Sequence, residues 1–439
     1  MFNNIIFVLK NQHDIIKEKT FLEVIMTVVG LITEYNPFHY GHKYHLEQSI
    51  MKSKADYSIA IMSGSFLQRG EPSFVDKWTK AKMAIDNGVD LVLELPFIFS
   101  TQSAELFAYG GIKLLDSLNI VDYISFGSEV GEIEPLSDIA KILVEEPLYF
   151  KKRLKFYLSK GLSFSVARSN AIEEYININF SNIQYDYKDL LNKSNNILGI
   201  EYLKALLTIG SKINPITIKR SGSQYKDKAI SMGFASATAI RSSIERYGIE
   251  SIKNLVPLET FNHITEYFNR YGSFNYLDNY GQILFYLLRT ADKKVLQNIL
   301  DMETGLENRF QKYSHKLNNV KVLIDNVVTK RYPRTRIQRI LIHLLNQLDK
   351  HTFKDLYTSY PQYIRVLASN QKGIRLLSEI KNNSSIPIVT KFADFNRYKN
   401  NALGKAIDYD KRATDIFFMV LENKSSLSNM DYYISPYIK

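Results

Sequence analysis

The segment from Val28 to Ile50 constrains this chain more than any other. Val28-Val29-Gly30-Leu31-Ile32 is an apolar run of the length and character of a short buried strand. Thr33-Glu34-Tyr35-Asn36-Pro37-Phe38-His39-Tyr40-Gly41-His42 follows, and then Lys43-Tyr44-His45-Leu46-Glu47-Gln48-Ser49-Ile50, which reads as the opening of a helix. Two histidines, three positions apart around a glycine, therefore sit where a strand turns into a helix. In an open α/β sheet, ligands bind in the crevice at such turns. The helix N-terminus is expected to offer free N–H groups and a positive dipole end to a phosphate. Gly41 lets the backbone approach closely and Pro37 stiffens the turn.

The same alternation continues. Strand-like runs at Tyr57–Met62, Asp90–Leu95 and Tyr123–Phe126 close on Ser63-Gly64, Pro96 and Gly127-Ser128. Helical spacing fills the intervals, as at Thr79–Asn87 and Ser103–Leu118. Alternation of this kind predicts a parallel sheet with crossover helices. Asn195–Ile209 reads as a long helix, Pro215–Arg220 as a further strand and Ser236–Tyr247 as a helix with a Ser/Thr-rich start. Beyond about Pro257 a period of 3.6 dominates, and strand alternation returns only at Ile386–Thr390. The expected architecture is a Rossmann-like parallel sheet over residues 26–260, followed by a mainly helical domain over 261–439. In residues 1–25 the one apolar run, Ile5–Leu9, is too short to span a bilayer and no signal-peptide pattern is present.

Composition narrows the chemistry. With 45% hydrophobic residues, sizeable cores are possible and global disorder is excluded. The chain has no cysteine, which excludes disulfides, thiolate metal sites and a cysteine nucleophile and fits a cytoplasmic protein. No apolar run has the length of a transmembrane helix. The net charge of +11 is placed unevenly: residues 1–260 carry 29 basic and 29 acidic side chains, residues 261–439 carry 27 and 16. A neutral front and a basic back point to small-molecule chemistry in front and a polyanion behind. Lys330-Arg331-Tyr332-Pro333-Arg334-Thr335-Arg336-Ile337-Gln338-Arg339 is the densest positive run, with an aromatic ring inside it, and is a candidate RNA contact. A second basic cluster, Lys151, Lys152, Arg153 and Lys155, reads as a solvated helix face.

His39-Tyr40-Gly41-His42 matches the H-x-G-H signature of the nucleotidyltransferase superfamily (the HUP-type Rossmann-like fold). The longer string from Glu34 to His42 closely resembles the bacterial tRNA(Met) cytidine acetate ligases. That resemblance implies an enzyme that makes acetyl-adenylate from acetate and ATP, then acetylates N4 of the wobble cytidine of elongator tRNA(Met). It implies His39, His42 and Arg241 as catalytic residues. It places ATP along Ile32, Thr33, Glu34, Tyr35, Asn36, Pro37, Phe38, His39, Tyr40, Gly41, His42, Lys43, Tyr44 and His45. The resemblance starts only at Met26, which implies that residues 1–25 are an N-terminal extension.

Further ATP contacts come from later stretches by the same resemblance. Ser236-Ala237-Thr238-Ala239-Ile240-Arg241 resembles the superfamily's second signature, in which Ser236, Thr238 and Arg241 converge on the β and γ phosphates. Asn195, at the start of Asn195-Asn196-Ile197-Leu198-Gly199, corresponds to an adenylate contact. Ser194 stands where the family commonly has proline, which leaves Asn195 and Asn196 as alternatives. Arg220 and its neighbour Ser221 lie at a strand end used on ATP, and Gly127 fits a glycine over which adenine packs. The loop Ser63–Pro72 can face the ligand with backbone donors. Trp78 reads as packing; Gln102, Ser103 and Glu105 either line the pocket or cap a helix.

No metal-binding cluster is expected from the protein itself. His39, His42 and His45 lie close together, but no carboxylate set completes a site, so Mg²⁺ is expected to be held mainly by ATP phosphates. Two other functions fit parts of the pattern. One is a nucleotidyltransferase acting on a small phosphate substrate. The other is a non-enzymatic RNA-binding protein that senses ATP. The oligomeric state is left open.

Overall fold

The computed structural model describes residues 26–180, 185–220, 235–394, 401–423 and 428–439, so the expected extension 1–25 and Ser221 lie outside the described residues. One sheet organises the fold. Its strands are β1 (Val28–Thr33), β2 (Tyr57–Ser63), β3 (Leu91–Leu95), β4 (Tyr123–Ser128), β5 (Asn214–Lys219), β6 (Ile364–Ser369), β7 (Ile388–Val389) and β8 (Tyr437–Ile438). The order is β5-β4-β1-β2-β3-β6-β7, with β8 also on β6. The first five strands are parallel, as the alternation predicts. β6 pairs antiparallel with β3, and β7 and β8 run parallel to β6. The expected parallel sheet thus carries a mixed edge supplied by the helical half.

The sequence reading missed β6, whose second residue, Arg365, places a charge in its short apolar run. The structure shows why the charge is tolerated. Lys77, Glu94, Arg365 and Asp431 form a buried network: Lys77 Nζ lies 2.9 Å from Glu94 Oε1 and 2.8 Å from Asp431 Oδ1, and Arg365 Nη2 lies 3.2 Å from Asp431 Oδ1. The network joins β3 and β6 to the helix Lys77–Asp86 and the C-terminal segment. Removing one member of such a buried network costs about 3–5 kcal/mol, because the others are left charged and unpaired.

Each face of the sheet carries its own core. Val28, Ile59, Ile61, Leu91 and Leu93 pack against the helices Ala104–Ser117 and Ser194–Ile209. Leu31, Ala60, Met62 and Val92, from the alternate positions, pack against Lys77–Asp86, Leu258–Tyr271 and Ala402–Met419. Both faces are covered, so the strands read as continuous apolar runs. β1 has β2 on one side and β4 on the other. The strand order reverses there, and this is where an open sheet leaves a crevice. The helix Tyr40–Ser53 begins directly above it.

Candidate active site

The turn that enters this crevice is built around the two histidines. His39 is the N-cap of the helix Tyr40–Ser53, with extended backbone (φ −144°, ψ 174°). Its Nδ1 accepts the Gly41 N–H at 3.0 Å, and its own N–H donates to His42 Nδ1 at 3.3 Å. The His42 N–H in turn donates to the His39 carbonyl oxygen at 2.8 Å. The first-turn N–H groups of Gly41 and His42 are therefore used inside the turn, which corrects the expectation that they stand free. The imidazoles use only Nδ1 in these bonds. Each ring accepts at Nδ1, so in the neutral form each carries its proton on Nε2.

The rings are stacked, with centroids 3.8 Å apart and planes 22° from parallel. Burial, with the Arg220 charge adding to it, lowers the pKa of His39 to about 4. Burial and the neighbouring His39, Arg220 and His45 hold His42 well below the ordinary histidine range. Both are neutral at pH 7. Tyr35 and Phe38 are buried beneath them and meet edge to face at 4.8 Å, and both contact the His42 ring. Tyr35 sits at φ +46°, a left-handed backbone uncommon outside glycine. The peptide Asn36–Pro37 is cis. His45, one turn on, faces β4, where its Nε2 lies 3.4 Å from Ser125 Oγ.

The resemblance groups Ser236 and Arg241 with this turn, and the fold brings Arg241 to it. Ser236 caps the helix Ala237–Tyr247 by accepting the Ala239 N–H at 3.2 Å, and Thr238 is exposed on its first turn. From the next turn Arg241 Nη1 donates to the Asn36 carbonyl oxygen at 2.9 Å. Its Nη2 lies 3.5 Å from Glu71 Oε2. Glu71 belongs to the loop after β2. That loop is tied to the turn elsewhere: the Gln68 N–H donates to Glu34 Oε1 at 2.7 Å and the Phe74 N–H to Asn36 Oδ1 at 2.6 Å. Beneath both, the buried Lys80 ammonium donates to the carbonyl oxygens of Ser63 (2.7 Å), Gly64 (3.0 Å) and Glu34 (3.1 Å). Sequence reasoning missed Lys80; its place within Thr79–Asn87 carried only a helical signal.

The opposite wall separates the two asparagines. Asn196 is fully buried, and its Oδ1 accepts the N–H groups of Glu129 (2.9 Å) and Val130 (3.2 Å), which fixes the loop after β4. Asn195 is half-buried; its Nδ2 donates to Glu129 Oε1 at 2.7 Å and its Oδ1 accepts from Arg220 Nη1 at 2.8 Å. The Arg220 stem lies across Gly127, where an added Cβ would come within 3.0 Å of Arg220 Cγ. Gly127, Asn195 and Arg220 therefore meet at one place, and Arg220 faces the histidines closely enough to depress all three.

Other expected residues have structural partners. Ser103 caps the helix Ala104–Ser117, Gln102 is buried against Ile98, and Glu105 pairs with Lys204. Trp78 is buried and stacks on Phe418. Among the described residues no group of three His, Asp or Glu side chains is arranged to hold a metal ion. The carboxylates nearest the turn are all engaged, Glu34 with Gln68, Glu71 with Arg241, and Glu129 with Asn195. A cleft of about 400 Å³ between Lys77–Asp86, Leu258–Tyr271 and the C-terminal residues shares none of the expected site residues.

The arrangement is two neutral imidazoles at a helix N-terminus, with the Arg241 guanidinium on the Asn36 carbonyl of the same turn and the Arg220 guanidinium on Asn195. The family model described as HIGH Nucleotidyl Transferase matches residues 26–431. The tRNA(Met) cytidine acetate ligase of Thermoanaerobacter sp. (strain X514) is 47% identical over 414 residues, covering 94% of this chain and all of the relative. The chain belongs to the tRNA(Met) cytidine acetate ligase family. The family member of Clostridium perfringens is 42% identical over 415 residues, again with full coverage of the relative. Among solved structures, Thermotoga maritima TmcAL bound with alpha-thio ATP is 34% identical, with a TM-score of 0.86 over 94% of this chain and 99% of that one. Its apo form matches with a TM-score of 0.87. Membership extends through β6 and most of the helical half, and no helix among the described residues is long and apolar enough to cross a membrane.

Proposed function

We propose that this chain is a cytoplasmic ATP-dependent ligase that activates acetate as acetyl-adenylate and transfers the acetyl group to N4 of the wobble cytidine of elongator tRNA(Met). The observation that carries the reading is the stacked His39–His42 pair at the switch point of the sheet, whose Nδ1 atoms are used within the turn. ATP lies with its phosphates over this turn, and an acetate oxygen attacks the α-phosphorus as the bond to pyrophosphate breaks. Negative charge that develops on the phosphoryl oxygens meets the Nε2–H groups of His39 and His42. It also meets the Arg241 guanidinium, which exchanges its Asn36 and Glu71 contacts for phosphate. Preorganised donors of this kind need no reorganisation at the moment of reaction. No protein nucleophile is required.

Arg220 and Asn195 take the adenylate side, over Gly127. Mg²⁺, if held by the nucleotide phosphates, would neutralise part of their charge. In the second step the cytidine amino nitrogen attacks the acetyl carbonyl carbon and AMP leaves. The basic half, 261–439, is the proposed tRNA platform. The Arg331–Arg339 run, however, is mostly paired internally: Arg331 and Arg336 with Glu303, Arg334 with Asp325, and Arg339 with Asp301. Acetate-dependent pyrophosphate release from ATP, followed by acetyl transfer to tRNA(Met), tests the reading. Release that ignores acetate, with or without tRNA, rejects it.

A further inference from the structure

The helices Leu148–Ser159 and Phe164–Asn179 form a hairpin that the site above does not use. Between residues 148 and 168 the chain carries six basic side chains and no acidic one. Exposed apolar side chains also concentrate there. Of the 21 large hydrophobic side chains exposed among the described residues, eight lie between 148 and 178. The hairpin turns at the exposed Gly161, which has φ +79° and where an added Cβ would meet nothing within 4 Å.

The two kinds of exposed side chain share one face. Tyr149, Lys152 and Phe156 stand at i, i+3 and i+7, and Leu148, Lys152 and Lys155 at i, i+4 and i+7, so rings and ammonium groups interleave on one stripe. The Phe156 ring lies between two cations, with the Arg153 guanidinium carbon 4.3 Å and the Lys160 ammonium 5.4 Å from its centre. Phe164, 59% exposed, opens the second helix beside them. The inner face is already occupied: Phe150, Ala167, Ala171, Ile172 and Ile176 are buried, and Arg153 pairs with Glu174. A membrane-surface helix segregates its apolar face from its charges and inserts the apolar one. Here the segregated apolar face packs into the protein, and the exposed face is mixed. Mixed rings and cations are what single-stranded or looped RNA demands, because bases stack on the rings while phosphates meet the ammonium groups.

The hairpin is also placed for the acceptor. Arg168 pairs with the buried Glu201 at 3.3 Å. Glu201 lies on Ser194–Ile209, the helix that presents Asn195 to the crevice. That helix is 16 residues long, roughly 24 Å, which bounds the separation along it. We infer that the 148–179 hairpin is an RNA-gripping surface, which holds unpaired nucleotides of the tRNA through Tyr149, Phe156 and Phe164 and their phosphates through Lys152, Lys155 and Lys160. The inference rests on tRNA being the acceptor.

The test compares two full-length variants with the native protein. One is Lys152→Gln/Lys155→Gln/Lys160→Gln; the other is Phe156→Ala/Phe164→Ala. Acetate-dependent pyrophosphate release without tRNA checks that the crevice is intact, and it should be unchanged in both. Affinity for labelled tRNA(Met) is then measured across salt concentrations. The lysine variant should bind about 10- to 100-fold more weakly, with the log–log salt slope shallower by roughly 2 to 3, since each phosphate contact contributes about 0.7–0.9. The aromatic variant should weaken binding about tenfold with the slope unchanged. If the native protein binds tRNA and both variants match it, the hairpin role is overturned while the ligase reading stands. If the native protein does not bind tRNA, the acceptor reading falls and this inference with it. Capture of the native protein, but not the lysine variant, by phosphatidylcholine–phosphatidylserine vesicles, with tRNA affinity equal in the two, overturns it in favour of a membrane surface. A dimer in sedimentation that the aromatic variant abolishes, again with tRNA affinity unchanged, overturns it in favour of self-association.

Discussion

Arg241 donates to the carbonyl oxygen of Asn36 at 2.9 Å, across 205 positions of chain. The contact closes the histidine turn from the side of the Ala237–Tyr247 helix, and Glu71 holds the other guanidinium nitrogen. The two stretches that are far apart in sequence therefore meet at the histidine turn.

Arg241→Ala should lower kcat for acetate-dependent pyrophosphate release by about 10²–10³-fold, the usual loss for one transition-state donor. Arg241→Lys should recover part of it, since it keeps the charge but not the fork. Because Arg241 is only partly buried, Tm should change little. An alanine variant with native kcat would remove Arg241 from the chemistry.

The histidines give a pH signature in stability. His39 titrates near 4 when folded, against about 6.5 when unfolded. Above pH 6.5 both states are neutral and the group contributes nothing to the pH dependence. Below it the unfolded chain takes up a proton that the folded chain refuses, so stability is lost as pH falls from about 6.5 to 4. One unit is 1.36 kcal/mol, so His39 alone accounts for about 3 kcal/mol over that window. Urea midpoints measured from pH 7.5 to 4.5 should fall, and His39→Asn should flatten the fall. An equal slope in the variant would show that His39 is not held neutral by burial.

What was legible in the sequence was whatever the chain states locally. Residues 28–50 carry strand, turn and helix contiguously, so the turn and its histidines are readable. Arg241 was readable only through a resemblance, since nothing local ties it to Asn36. The identity of Arg365 hid β6, because its partner Asp431 lies 66 residues on. The run 330–339 looked like free positive charge for the same reason. Its counter-charges, Asp301, Glu303 and Asp325, arrive from earlier segments. Long-range pairing is the part that composition and periodicity do not encode.

The adjacent asparagines should separate cleanly. Asn195→Ala removes the Arg220 partner from a half-buried position, and should raise KM for ATP about tenfold with Tm nearly unchanged. Asn196→Ala leaves the N–H groups of Glu129 and Val130 without their buried acceptor, which costs about 1–3 kcal/mol each where water cannot reach. Its Tm should drop by several degrees. The reverse pattern would assign the nucleotide contact to Asn196.

Gly70 tests whether the loop after β2 must stay seated on the helical half. Its φ is +77°, and an added Cβ would lie 2.2 Å from the backbone nitrogen of Arg339 and 2.5 Å from the Gln338 carbonyl carbon. Backbone in the helix Arg334–Asn346 cannot yield as a side chain would, so the loop has to lift. Glu71 and Gln68 move with it, and the supports of Arg241 and Glu34 go too. Gly70→Ala should therefore cost roughly 2–4 kcal/mol, from the left-handed backbone and the overpacking together, and should also raise KM for ATP. Gly210→Ala isolates the backbone part: it is left-handed at φ +69° and ψ 33°, but an added Cβ meets nothing within 4 Å, so about 1 kcal/mol is expected with KM unchanged. If the two variants lose the same stability and neither changes KM, the loop is not clamped against the helix.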